Sequence, residues 1–371
     1  MIWFFIFVGL LYAILIIALT IGFGTVDEFN TISDDPTTKF SVVIPFRNEA
    51  KNLPYLLESI QQLNYPKELV ELLFIDDDST DESIAIIENF LDTISQTNFQ
   101  VLKNNRISKS PKKDAISTAI SKATYTWILT TDADCVLPKN WLSTLDAFIQ
   151  SNNPKMVVAP VNYHAKENLL EQFQLLDFMS MQGTTIGGFG INFPFLCNGA
   201  NFAYKKDVFL KLKGFDGNSE IASGDDIFLF EKFIKWDKKS VHYLKSNAAI
   251  VTTFPVKSWS DLVQQRKRWA AKTSNFNSIK VKLIGIVIVL TNLFVFSFLF
   301  IGNVKTMYIP IALKLIIDWF LFKPTLSFFN HKMDFVKWYV PASIIYPLFN
   351  VLIAILAVTT TYNWKGRRFK V

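Results

Sequence analysis

Histidine and cysteine are nearly missing from this 371-residue chain, which has three of the first and two of the second. His164, His242 and His331 are too few and too scattered for a histidine-based metal centre. Cys135 and Cys197 alone make neither a disulfide scaffold nor a structural zinc site. They read as the reduced thiols of a cytosolic domain. Charge is thin as well. Only 19% of residues are Asp, Glu, Lys or Arg and 50% are apolar, whereas soluble domains sit near about 25% charged. That balance excludes disorder and argues against a wholly soluble protein. Neither G-x-x-x-x-G-K nor G-x-G-x-x-G occurs, so no glycine-rich loop is there to cradle phosphates. A bound diphosphate would have to be met by a metal and basic side chains.

The apolar residues are unevenly placed. No charged side chain occurs before Asp27, and Ile2–Phe23 is long enough to cross ~30 Å of hydrocarbon at ~1.5 Å per residue. It lacks a basic leader and a small-x-small cleavage site, so residues 1–26 are expected to form an uncleaved anchor. Uncharged runs recur at Leu283–Gly302 and Trp338–Trp364. Between them Met307–Phe322 is apolar but holds Lys314 and Asp318, an i,i+4 pair. Residues 281–364 are thus expected to contribute two or three membrane helices, with a basic tail at 365–371. Between them and the anchor lies a polar domain over residues 38–273, closed by an interfacial helix at 258–280. Arg266, Lys267, Arg268, Lys272, Lys280 and Lys282 crowd its membrane end, which places the domain on the cytoplasmic side. The tail, with Lys365, Arg367, Arg368 and Lys370, prefers the same side, which favours a re-entrant or interfacial Met307–Phe322. The net charge of +6 therefore hugs membrane segments, and nucleic acid is a poor partner for it.

Within the polar domain short apolar runs alternate with helical spacing. Phe40–Pro45, Leu69–Ile75, Phe99–Leu102, Tyr125–Thr131 and Met156–Ala159 read as strands. Asn52–Leu63, Glu82–Thr93, Lys112–Lys122 and Trp141–Ile149 read as helices. Repeated β-α units predict a doubly wound, mostly parallel sheet, whose ligands bind beyond the carboxyl ends of the strands.

Four constellations sit at or near such ends. Ile75-Asp76-Asp77-Asp78-Ser79-Thr80-Asp81 crowds carboxylates that need donors or a cation, or else merely caps the following helix. Thr131-Asp132-Ala133-Asp134 can aim two carboxylates at one divalent cation, the kind of site Mg²⁺ shares with phosphates and water. Ser223-Gly224-Asp225-Asp226 opens an amphipathic helix, either as a cap or as the seat of a general base. In Gln265-Arg266-Lys267-Arg268-Trp269, residues 265, 268 and 269 share one helix face. They offer an amide, a diphosphate-binding fork and a flat platform. The plainer reading is a basic interfacial helix with a Trp anchor.

In this order the strings resemble the membrane-bound family 2 glycosyltransferases, relatives of cellulose, chitin and hyaluronan synthases and of ceramide glucosyltransferase-like enzymes. The resemblance is carried by Ser41-Val-Val-Ile-Pro-Phe-Arg-Asn-Glu49, Ile75–Asp81, Lys112 with Ala115-Ile116, Thr131–Asp134, Asn198-Gly-Ala-Asn201, Gly224-Asp-Asp226 and Gln265–Trp269. Trp364-Lys-Gly-Arg367 resembles a tail found in the same group. The likeness implies a Rossmann-like GT-A nucleotide-sugar domain of the α/β class, flanked by transmembrane helices. It also implies an inverting, Mg²⁺- or Mn²⁺-dependent transfer. The donor would be a nucleotide-diphosphate sugar, a UDP-sugar first. The acceptor would be a lipid or glycan hydroxyl at the cytoplasmic face of a bacterial inner membrane, with polysaccharide-assembly proteins as possible partners. By resemblance Pro45, Glu49 and Asp77 would meet base and ribose, Lys112 and Asp132 the nucleotide, and Asp134 the metal. Asn198, Gly199, Ala200 and Asn201 would line the donor sugar. Gln265, Arg268 and Trp269 would close over diphosphate and acceptor.

Asp226 would be the base and Asp225 its catalytic neighbour. Relatives commonly carry Gly at the position of Asp78 and Glu at that of Asp225, so the division of labour between Asp225 and Asp226 stays open. Two rivals remain: a membrane-anchored nucleotidyltransferase, and a non-catalytic nucleotide-sugar-binding subunit of an assembly complex.

Overall fold

The computed structural model describes residues 2–91, 98–271, 278–301, 308–332 and 334–369. Thr93, Lys272, Thr273, Gly302, Met307 and Lys370, named above, lie outside the described residues. In chain order the elements begin with α1 (Ile2–Thr25), β1 (Phe40–Phe46), α2 (Leu53–Gln61), β2 (Val70–Asp76), α3 (Ser83–Leu91) and β3 (Asn98–Lys103). There follow α4 (Pro111–Lys122), β4 (Trp127–Thr130), α5 (Trp141–Asn152), β5 (Met156–Val158), β6 (Val161–Tyr163) and α6 (Leu169–Gly190). Next come β7 (Phe202–Lys205), α7 (Lys206–Lys211), α8 (Asp225–Asp237), β8 (Val241–Tyr243) and β9 (Val251–Thr253). The chain closes with α9 (Trp259–Ala271), α10 (Ile279–Ile301), α11 (Tyr308–Phe328), α12 (Val340–Thr359), β10 (Tyr362–Trp364) and β11 (Arg367–Phe369).

Two compact units divide these elements. One comprises Asp27–His164 and Cys197–Phe254; the other comprises Met1–Val26, Ala165–Leu196 and Pro255–Val371. The polar domain expected over 38–273 contributes to both units. Residues 165–196 and those from 255 onward belong with the helical unit, because their packing partners are its helices.

The first unit is built on a seven-stranded sheet of order β3-β2-β1-β4-β7-β5-β8. Its strands are parallel except β7, which runs antiparallel to both β4 and β5. Continuous apolar runs suit strands covered on both faces, and β2 is buried along its whole length. Its one internal charge, Glu71, is sealed in by donors. Ser41 Oγ donates to it, as do the Thr124 amide at 2.6 Å and the Tyr125 amide at 3.2 Å. The pairing of β1 with β4 runs only from Phe40 to Val43, so Pro45 falls beyond that ladder. Because β1 to β4 are parallel, the segments after them gather at one edge of the sheet.

In the second unit α1 and α6 meet through small residues. A Cβ on Gly187 would lie 2.3 Å from the Leu19 carbonyl oxygen, and one on Gly22 would lie 2.2 Å from that of Gly187. Only glycine permits this backbone contact. Among the described residues three segments, Ile6–Thr25, Ile279–Phe298 and Phe335–Thr359, are long and apolar enough to cross a membrane. On α11, Lys314 and Asp318 pair as their spacing required, and Tyr12 Oη donates to Asp318 at 2.5 Å. The third apolar run was expected to extend to Trp364. Instead α12 stops at Thr359, and Tyr362–Trp364 pairs with Arg367–Phe369 as a hairpin. Its turn residues, Lys365 and Gly366, both have positive φ, as a two-residue hairpin turn requires.

Candidate active site

The ends of β1 and β2 are knitted together before any ligand is considered. Arg47 Nη1 donates to the carbonyl oxygens of Asp77 and, at 2.6 Å, of Asp78. Asn48 accepts from the Thr80 amide at 2.8 Å, and the Glu49 amide donates to Ser83 Oγ at 2.8 Å. The buried Glu49 carboxylate accepts from Asn52 at 2.6 Å. Among the acids after β2, Asp76 caps the turn by accepting from the Ser79 amide at 2.9 Å. Asp77 is the one held as a receptor. It is buried, accepts from Asn104 Nδ2 at 2.8 Å and stands 3.8 Å from Arg106 Nε. Asp78 points away to solvent near Lys103. Its φ of +59° is the left-handed conformation that glycine takes without cost.

A second knot joins α4, β4 and α8. Lys112 Nζ lies 2.6 Å from Asp132 Oδ1 and 3.3 Å from Asp225 Oδ2. Burial opposes its charge, but Asp132, Asp225 and Asp226 together hold its pKa well above the ordinary lysine value. Lys113 cannot stand in for it, since its ammonium donates to the carbonyls of Asn218 at 2.7 Å and Ile221 at 2.8 Å. Gly224, with φ +80°, turns the chain into α8, and a Cβ there would strike the Phe228 ring at 2.7 Å. Asp226 accepts from the Gly199 amide at 3.2 Å and from the Ile227 amide at 2.7 Å. The segment carrying Asn198, Gly199 and Ala200 is thereby placed against the acids of α8. Thr130 Oγ1 anchors it from β4 by donating to the Gly199 carbonyl at 2.8 Å.

One sugar-lining expectation is corrected. Asn201 is fully buried, accepts from Trp141 Nε1 at 2.9 Å and donates to the carbonyls of Pro160 and Ala249, each at 2.8 Å. Every polar atom of its side chain is occupied within the core.

Asp134 is half-buried, beside Cys135. Burial, followed by Asp134 and Asp132, pushes the Cys135 thiol well up, so it is a neutral packing residue. Among the described residues no group of three or more His, Cys, Asp or Glu could hold a metal ion unaided. A two-carboxylate donor set of hard oxygens is what Mg²⁺ or Mn²⁺ takes when substrate phosphates and water complete the shell. The residues therefore fit such an ion.

Gln265, Arg268 and Trp269 lie on α9, in the helical unit. On this helix, for which the plainer expectation is a basic interfacial face, Arg266 and Lys267 are both buried. Arg266 Nε donates to Asp177 at 2.5 Å, its Nη1 donates to Gln265, and its guanidinium covers the Trp269 ring at 4.1 Å. Lys267 donates to the Thr361 carbonyl at 2.6 Å, and Arg268 covers Trp364 at 5.0 Å. The hairpin at 362–369 thus braces α9.

Sequence reasoning missed Asn104, Arg106 and Arg47. The first two follow β3 at the same sheet edge, and that position was the available signal.

The mostly parallel sheet with acids gathered after its strands and at the start of α8 is an arrangement of the GT-A type. A family profile described as Glycosyl transferase family 2 matches residues 41–212. Another, Glycosyl transferase family group 2, matches residues 127–362. The second spans well over half the chain, which belongs to this family.

Among curated relatives, the poly(ribitol-phosphate) beta-N-acetylglucosaminyltransferase TarS of Staphylococcus aureus is 29% identical over 32% of this chain and 20% of its own length. The probable glycosyltransferase YdaM of Bacillus subtilis is 25% identical over 62% of this chain and 54% of its own. The chain thus spans between a fifth and about half of these relatives. The mannosyltransferase PcManGT of Pyrobaculum calidifontis, solved with GDP-Man and Mn²⁺, shares the fold with a TM-score of 0.56. It is 15% identical, over 93% of this chain and 95% of that one.

Proposed function

We propose that the protein is an inverting transferase working at the cytoplasmic face of a membrane. It moves one sugar from a nucleoside-diphosphate sugar to an acceptor hydroxyl. The observation that carries this reading is the convergence of Lys112, Asp132, Asp225 and Asp226, with Gly199 against the last. The acceptor oxygen bonds to the anomeric carbon as the bond from that carbon to the diphosphate oxygen breaks, and the hydroxyl proton passes to Asp226. Asp77, with Pro45 and Glu49 beside it, receives base and ribose. Asp132 and Lys112 orient the diphosphate end. Asn198, Gly199 and Ala200 face the sugar. Asp134 would hold Mg²⁺ or Mn²⁺, which when bound offsets charge on the leaving diphosphate. Gln265, Arg268 and Trp269 serve diphosphate and acceptor. No covalent glycosyl-enzyme is needed, so one base suffices.

The similarity to TarS, a poly(ribitol-phosphate) beta-N-acetylglucosaminyltransferase, makes N-acetylglucosamine the first sugar to try. The purified full chain, given a panel of nucleotide sugars with Mg²⁺ or Mn²⁺ and extracted lipids or glycans, is expected to release nucleoside diphosphate. Release of pyrophosphate instead means nucleotidyl transfer. Donor binding with no release from any donor means a non-catalytic subunit.

A further inference from the structure

The helical unit contains a cavity of about 640 Å³, within the range of small-molecule sites. Its wall comes from α1, α6, α10, α11 and α12 and is largely apolar, with Ile16, Leu19, Phe173, Ile288 and Ile353 among its residues. Four charged side chains line it: Asp177, Lys282, Lys314 and Asp318. Three of them are buried and matched. Asp177 receives the Arg266 guanidinium at 2.5 Å, Lys314 and Asp318 pair with each other, and Asp318 also accepts from Tyr12.

Buried charge inside an apolar helical bundle is costly and marks function by default. Here each acid has its own cation, so the two pairs cancel. The four lining charges sum to zero, and because Asp177 is matched by Arg266 from outside the lining, the charge left over is that of exposed Lys282 in the first turns of α10. A long apolar chamber between helices of membrane-spanning length takes hydrocarbon. One positive charge beside it selects an anionic head.

We propose that this cavity binds the hydrocarbon chain of an anionic lipid whose phosphate is met by Lys282, and that this lipid carries the acceptor hydroxyl. The acceptor role rests on the transferase reading above; the lipid site itself does not. The site gives the substrate a fixed depth and register.

The test uses the full chain in nanodiscs of zwitterionic lipid. The probe is a long-chain alkyl phosphate bearing a diazirine, and the comparison is the alkyl alcohol of equal length. Light is expected to attach the phosphate probe to the α6 and α10 residues of the lining. Lys282→Glu is expected to lower phosphate labelling about tenfold, near 1.4 kcal/mol, with the alcohol unaffected. Gly285 lines the cavity, and a Cβ there meets nothing within 4 Å. The backbone there accepts a side chain at its Cβ, and if the Gly285→Phe ring enters the cavity it should cut labelling by both probes. Ala354→Phe, on the α12 part of the lining, repeats the test should the first variant fold poorly.

Equal labelling of outer helix faces, unchanged by either filling variant, overturns the site. Loss of both probes equally in Lys282→Glu overturns the phosphate assignment. Asp77→Ala should abolish donor binding and leave labelling intact. Normal labelling with no nucleoside-diphosphate release from wild-type protein refutes the transferase reading alone. Transfer to soluble glycans without labelling refutes the lipid site alone.

Discussion

Lys112 Nζ lies 2.6 Å from Asp132 Oδ1, a contact that ties the first turn of α4 to the end of β4. The same ammonium reaches Asp225 on α8 at 3.3 Å. One cation therefore pairs with acids brought from two separate segments and ties α4, the segment after β4 and α8 together.

Lys112→Met removes that cation while keeping most of the side-chain volume. Asp225 is 12% exposed and Asp132 37%, so solvent softens the penalty for the latter. A loss of about 1–3 kcal/mol is expected in thermal unfolding, with donor affinity falling at least ~tenfold. The pH dependence has a definite sign. The folded pKa is raised, so this stabilisation is complete below the unfolded value of ~10.4 and is lost only as pH rises beyond it through the folded value. The gap between wild type and Lys112→Met should stay flat from about pH 6 to 9. A gap that closes within that window means the ammonium is not held as the geometry states.

Asp225 and Asp226 are adjacent but differently engaged. Asp225 faces Lys112, whereas Asp226 is oriented by the amides of Gly199 and Ile227. Asp226→Asn is expected to cost about 10²–10⁴ in transfer rate, with donor affinity nearly kept. Asp225→Asn should instead weaken donor binding and lower the unfolding temperature. Rate constants and calorimetric titrations on both variants separate the roles. Near-normal turnover in Asp226→Asn would move the base to Asp225.

Much of the first unit was legible because local pattern and tertiary role agree. The runs at β1, β2 and β4 are mostly apolar and end directly before Arg47, Asp77 and Thr131. The antiparallel strand β7 was not. Its four residues carry no local signal, and its place between β4 and β5 is decided by partners far away in sequence. Helix α6 was missed because it buries Gln172, Gln174, Asp177 and Gln182, which breaks the apolar spacing of a helix face. Its glycines, which read as breakers, serve the contact with α1. The motif at 198–201 was read as one sugar-facing string, yet Asn201 satisfies the core. Residue type alone does not tell those two environments apart.

At residue 78 the departure from the family pattern has a structural price that can be measured. The backbone there has φ +59°, and a left-handed conformation costs an L-residue ~1–2 kcal/mol, less for Asp. Glycine relieves that strain but brings ~0.5–1 kcal/mol of extra unfolded-state entropy. Asp78→Gly should therefore change stability by less than about 1 kcal/mol. It removes an exposed carboxylate next to Asp77, so nucleotide binding should tighten a few-fold at low salt, and the gain should shrink as salt screens it. Titration at two ionic strengths checks this. Weaker binding, or a gain indifferent to salt, counts against Asp77 as the nucleotide receptor.

The pair Arg266–Asp177 offers the sharpest probe of how α9 is held. Both groups are buried, and their contact links α9 to α6. Breaking such a pair by removing one partner leaves an uncompensated charge and costs about 3–5 kcal/mol, whereas replacing both with apolar groups of similar volume is often neutral. Arg266→Met and Asp177→Leu should each lower the unfolding temperature strongly, and the double variant should recover most of the loss. Activity should not recover with it. Arg266 also covers Trp269 at 4.1 Å and donates to Gln265, so a restored fold still lacks the group that orients these two residues, proposed above to serve diphosphate and acceptor. A double variant with wild-type stability and wild-type turnover would show that this orientation is dispensable. Restored stability with a lowered kcat and unchanged donor affinity would place the effect on the acceptor side of the transfer.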